Sequence, residues 1–169
     1  MFKQIYSKLV SIFCNKNIAR IDRTVFLMFH SIEDETYYKN SIYHMSLIRF
    51  TEICKLLDEI RMEVSHLYGN SIDIVFTFDD GYRNYFDNAL PILDQYCFKS
   101  IVFIIAKNIY DNSDKYINID ILKSLLKRKR VKVGMHGYNH VDLSLLSDVH
   151  LKNELTNIKK ICDSMNFQT

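Results

Sequence analysis

Four short stretches of the chain are apolar almost throughout: 25–29 (VFLMF), Ile72–Phe78 (IDIVFTF), 100–106 (SIVFIIA) and Val131–Met135 (VKVGM). They are rich in Val, Ile and Phe and carry apolar residues at odd and even positions alike. That pattern predicts strands of a parallel sheet covered on both faces. Between them the period changes. Over 46–60, Leu47, Phe50, Ile53, Cys54, Leu57 and Ile60 recur every three or four positions, which predicts a helix. Residues 88–96 predict a second, with Asn88 as N-cap and Pro91 in the first turn, where a missing N–H costs little. Asp120 is the expected cap of a third, carrying Ile121, Leu122, Leu125 and Leu126. Ser147 is the expected cap of a fourth, carrying Leu151, Leu155, Ile158, Ile161 and Cys162. Strand followed by helix, repeated, argues for βα units and an α/β fold.

The first 24 residues read differently. Phe2, Ile5, Tyr6, Leu9, Val10 and Phe13 share one helical face, with Lys3, Gln4, Ser7 and Lys8 opposite. This predicts an amphipathic helix over 1–24, preceding a domain over 25–169. The segment has no unbroken apolar h-region and no small-residue cleavage site, so no signal peptide is expected. No apolar run approaches the ~20 residues that span a bilayer. A cytoplasmic or membrane-peripheral location is the expectation, since such a helix packs on its domain or rests on a membrane surface.

Composition narrows the function. With 48% hydrophobic residues and 22 Phe or Tyr, the chain is no disordered segment. A net charge of +2 gives no basis for nucleic-acid binding by bulk charge. The basic run 123–132 falls at a helix C-terminus, where cations suit the helix dipole. Cys14, Cys54, Cys97 and Cys162 lie far apart in apolar contexts, and buried free thiols are expected. The chain has only 4 Gly and 1 Pro, against roughly 12 and 8 at average usage. Three of those glycines, Gly81, Gly134 and Gly137, flank the polar clusters that carry chemistry.

The first cluster, Thr77-Phe78-Asp79-Asp80-Gly81, follows the second strand. Parallel folds place their sites at such strand ends. Neighbouring side chains of a regular strand point to opposite faces, so both carboxylates reach one site only if the chain turns. Gly81 permits that turn. The second cluster is Gly134-Met135-His136-Gly137-Tyr138-Asn139-His140, after the fourth strand. Histidines at i and i+4 share one face of a helical turn and can grip one metal ion. In a parallel sheet both clusters emerge on one rim. One carboxylate and two imidazoles then form a three-ligand site with open positions, suited to Zn²⁺ and open to Fe²⁺, Co²⁺, Mn²⁺ or Ni²⁺. The second carboxylate is left as a base.

TFDDGY, then NALPILDQY, then a strand and VGMHGYNHVDLSLLS resemble the polysaccharide deacetylase (NodB homology) family, carbohydrate esterase family 4. The opening FLMFHSI, with His30, resembles the start of many members, and the similarity runs from about Val25 to Asn166. The resemblance implies a partial (β/α) barrel of the NodB type, with about four βα units present. It implies a metal-dependent hydrolase that removes N-acetyl or O-acetyl groups from a glycan. It makes Asp79 the catalytic base and Asp80, His136 and His140 the metal ligands. The hydroxyl residue that usually follows the first histidine is Gly137 here.

Family motifs that supply a late histidine acid, an Arg-x-Pro-Tyr oxyanion segment and a Trp-containing segment have no counterpart before Thr169. The expectation is therefore a C-terminally truncated or split member, weakly active alone, or a metal- or glycan-binding remnant. An open sheet edge would then invite self-association or a partner chain. His30 ends the first strand and could reach the rim, although a packed or surface histidine is the commoner case. His44, His66 and His150 are expected on loops or helix surfaces without a role. Tyr138 is expected either to contact substrate or to pack.

Overall fold

The computed structural model describes residues 23–36, 41–69, 72–110 and 113–165. The amphipathic helix expected over 1–24 lies outside them, except that its last two residues already belong to a strand. The elements are β1 (Arg23–Phe29), β2 (Ser31–Glu33), β3 (His44–Ser46), α1 (Leu47–Tyr68), β4 (Ile72–Phe78), α2 (Leu90–Gln95), β5 (Lys99–Ile104), α3 (Ile119–Leu126), β6 (Val131–Met135) and α4 (Asp148–Ser164).

Four strands form a parallel sheet in the order β1-β4-β5-β6. Each long strand lies beside the next one in sequence, so the order never reverses. A doubly wound sheet would reverse at a switch point; this one is an arc of the barrel type. All four strands run the same way, and their C-terminal ends share one rim. The short parallel pair β2-β3 follows β1 on that rim.

One face of the sheet packs under the helices. Phe29 (partly buried) and the buried Phe50, Phe76 and Phe78 meet with ring centroids 5.4–6.0 Å apart. Ile60, Leu93, Leu122 and Leu125 close the layer. The opposite face differs from the expectation of cover on both sides. Phe26 is 61% and Met28 67% exposed, and Ile101 and Phe103 are half-buried. The strands are apolar on both faces, but the helices lie on one.

Helix starts depart from the sequence reading in two places. Backbone is already helical from Arg83, and a π-helical turn over Tyr85–Ala89 leads into α2. Asn88 is therefore not an N-cap; its side-chain amide donates to Ile32 O at 2.7 Å. Pro91 does sit in the first turn of α2. Asn118 rather than Asp120 caps α3, accepting from Ile121 N at 3.0 Å, and Asp120 lies in the first turn. Ser46 and Ser147 cap α1 and α4. Cys54 is buried as expected, but Cys97 is exposed, in a left-handed residue that ends the α2 turn. Among the described residues no helix is long and apolar enough to cross a membrane.

Candidate metal centre

The turn after β4 begins one residue earlier than the glycine suggests. Asp79 still follows the strand, its N–H donating to Phe29 O at 3.0 Å. Asp80 then takes φ +68°, and Gly81 also takes φ +68°. Aspartate is among the few residues that tolerate the left-handed region. Gly81 is required for a second reason: a Cβ there would lie 2.7 Å from Ile104 Cγ2. The turn is fixed from the far side by Ile117 N–H donating to Gly81 O (2.9 Å) and Arg83 N–H donating to Lys115 O (2.9 Å).

The HxxxH segment is a loop, not a helical turn. His136 N–H donates to Ile104 O (2.8 Å), and Gly137 O and Tyr138 O accept from Ala106 N–H (3.0 Å) and Lys107 N–H (3.2 Å). The β5-β6 pairing thus continues past the strand ends. Gly137 at φ +82° and His140 at φ +59° then fold the loop back. The imidazoles meet by this reversal, with ring centroids 5.1 Å apart, rather than by helical spacing. Two of the three expected ligands, Asp80 and His140, hold left-handed backbone. Such strain is usually kept where the surroundings impose it for function.

Donor atoms of Asp80, His136 and His140 all lie within 4.8 Å of one another. Asp80 Oδ1 is 3.2 Å from His140 Nε2 and 3.5 Å from His136 Nε2. Yet this buried oxygen has no hydrogen-bond partner among the described residues. Both imidazoles approach it, but neither makes a hydrogen bond to it. A buried, unsatisfied carboxylate oxygen costs about 1–3 kcal/mol or more. Ligand bonds of about 2.0–2.2 Å in a tetrahedral site put neighbouring donors about 3.3–3.6 Å apart. The observed spacings fit a cation held between them. Asp79, next to Asp80 in the chain, is half-buried. Burial first, then the neighbouring Asp80 carboxylate, push the Tyr82 hydroxyl up to about 12.

Other residues fall outside the trio. His30 packs edge-on against Tyr43 at 5.0 Å and takes no part in it. His44, expected on a loop or helix surface, opens β3 and sits 3.3 Å from Glu33. Tyr138 packs against the core. A cleft of about 890 Å³ is lined by Glu33, His44, Tyr82, Arg83, Asn84 and Lys115 among others, and by none of the trio. Tyr82, which stacks on Tyr116 at 5.5 Å, lines the cleft and lies close enough to Asp80 to feel its charge.

Sequence reading missed Glu154. It is buried on α4 and accepts from Tyr138 N–H (3.1 Å), Asn139 N–H (3.2 Å) and the Asn139 side-chain amide. Burial raises its pKa, but these hydrogen bonds, with Lys107 nearby, outweigh that and hold it below the ordinary value of 4.5. A signal existed: Glu154 sits three residues after Leu151 and four before Ile158, on the apolar stripe of α4.

Residues 69–167 match the family model for polysaccharide deacetylase, 99 of the 169 residues. The chain belongs to the polysaccharide deacetylase family. Over 95 residues it is 27% identical to YxkH of Bacillus subtilis (strain 168), provisionally named a polysaccharide deacetylase, covering 56% of this chain and 33% of that protein. The chain thus spans about a third of that curated relative's length. Several solved structures share the fold of this family member. IcaB from Ammonifex degensii aligns with a TM-score of 0.65 at 16% identity, over 89% of this chain and 72% of that one. The Streptococcus pyogenes deacetylase PplD, solved with acetate, aligns at 0.64 and 18% identity, over 85% and 68%. The Bacillus cereus polysaccharide deacetylase BC0361 aligns at 0.61 and 23% identity, over 82% and 47%. At these identities the likeness is one of fold. Metal dependence is general in the polysaccharide deacetylase family, and the Asp80–His136–His140 trio is a suitable place for the metal.

Proposed function

We propose that this chain is a metal-dependent carbohydrate deacetylase, a hydrolase that removes N-acetyl or O-acetyl groups from a glycan. One observation carries the reading: in a chain of this family, two histidines converge on a buried carboxylate oxygen that has no hydrogen-bond partner among the described residues. Asp80, His136 and His140 would hold a divalent cation. Two imidazoles and one carboxylate with open positions suit Zn²⁺ best, and would accept Co²⁺, Fe²⁺, Mn²⁺ or Ni²⁺. When bound, such an ion polarises a carbonyl and eases deprotonation of water.

Asp79 is the general base. Its carboxylate accepts a proton from water as that oxygen bonds to the acetyl carbon. The acyl bond to the sugar nitrogen or oxygen then breaks as that atom takes up a proton, the one held by Asp79 or one from solvent, giving acetate and a free amine or hydroxyl. The cleft beside Tyr82 suits a hydroxyl-rich ligand, since donors and acceptors of both charges line it.

The test is acetate release from N-acetylated chito-oligosaccharides by the zinc-loaded chain. Asp79→Asn should cut the rate by about 10²–10⁴-fold with zinc content unchanged. Asp80→Asn and His136→Ala should lose zinc and rate together. An Asp79→Asn variant as fast as wild type would contradict the assigned base. Zinc retained by a wild-type chain that releases no acetate would remove catalysis and leave binding alone.

A further inference from the structure

We propose that Glu154 is a positioning residue that sets the histidine loop for metal binding, an inference that rests on the metal site proposed above. The loop from His136 to His140 is held on two sides. On one, its backbone continues the sheet through Ile104, Ala106 and Lys107. On the other lies α4, and the residue that reaches across is Glu154. One carboxylate oxygen takes both backbone N–H groups, of Tyr138 and Asn139, and the other takes the Asn139 side chain.

These bonds grip the two residues immediately before His140. That residue holds a left-handed backbone and the more exposed of the two imidazoles. Gly137 lies against it from within the same loop: a Cβ added there would meet the His140 backbone at 3.6 and 3.9 Å. The geometry of His140 therefore depends on where Tyr138 and Asn139 are held. A buried carboxylate is costly unless fully hydrogen-bonded. Here all its bonds go to a single loop, and that loop carries two of the three donors. A core-filling role would have been met by a leucine. The neighbouring Leu155 is instead 52% exposed.

Cobalt(II) is the probe, because its visible spectrum reports coordination as well as affinity. Glu154→Ala should weaken Co²⁺ binding by about 10–100-fold and alter the band shape. Glu154→Gln, which keeps an acceptor for the backbone N–H groups, should recover part of the loss. Asn139→Ala, at an exposed position, should cause a smaller loss. Ser147→Ala removes the cap of the same helix without touching the loop, and should bind Co²⁺ as wild type does. Circular dichroism under the same conditions selects folded samples. If Glu154→Ala does not fold, Glu154→Gln and Asn139→Ala decide.

Wild-type affinity and spectrum in the folded Glu154 and Asn139 variants would overturn the proposal while leaving the metal site intact. Equal weakening by Ser147→Ala would also overturn it, by reducing Glu154 to a helix-stability effect. A wild-type chain that binds no Co²⁺, or binds it equally after His136→Ala, would overturn both readings together.

Discussion

Asp80 carries three constraints at once. It is buried, it holds a left-handed backbone, and one of its oxygens has no hydrogen-bond partner among the described residues. The sequence showed the carboxylate pair and the histidines, because strand-end chemistry depends only on residue type and position along the chain. It credited the turn to Gly81 alone, since an aspartate's left-handed backbone leaves no mark in composition. The demand on Gly81 is steric as well as conformational. Gly81→Ala should destabilise the chain by about 2 kcal/mol or more, through overpacking against Ile104 on top of the backbone cost. Gly137→Ala, with the same sign of φ but no foreign atom nearer than 3.6 Å, should cost about 1 kcal/mol. Urea unfolding of the metal-free variants measures both. Equal losses would mean that Ile104 yields without strain.

The elements were legible where periodicity was long and blurred where capping chemistry competed. β4 and β6 match their apolar runs, and α1 extends to Tyr68, past the last periodic residue counted at Ile60. Asn88 looked like a cap because Pro91 follows it, yet the helical path is set upstream by the turn at Gly81. On α4 the stripe through Leu151 and Ile158 passes between positions 154 and 155. Hydrophobicity favours Leu155; the loop's hydrogen bonds select Glu154. That choice has a pH signature. The folded pKa of Glu154 is depressed, so its stabilisation is present above the ordinary value of 4.5 and is lost as pH falls through the lower folded value. In metal-free protein, the stability gap between wild type and Glu154→Gln should therefore narrow as the pH is lowered below 4.5. A gap independent of pH would contradict the hydrogen-bonded carboxylate.

For the molecule as a whole, the decisive feature is strand order. Sequential parallel strands bring the ends of β4 and β6 to one rim with β5 between them, so residues 56 apart in sequence, Asp80 and His136, meet at 3.5 Å. Alternating strands and helices announced the parallel sheet. They did not announce which face the helices would cover, because the strands are apolar on both. The exposed Phe26 and Met28 mark that difference.

The central claim is that Asp80, His136 and His140 hold one divalent ion. Equilibrium dialysis against zinc followed by elemental analysis tests it directly. About one zinc per chain is expected in wild type and in Asp79→Asn, with its loss in Asp80→Asn and His136→Ala that remain folded. No bound zinc in wild type, or an undiminished zinc content in those two variants, would contradict it.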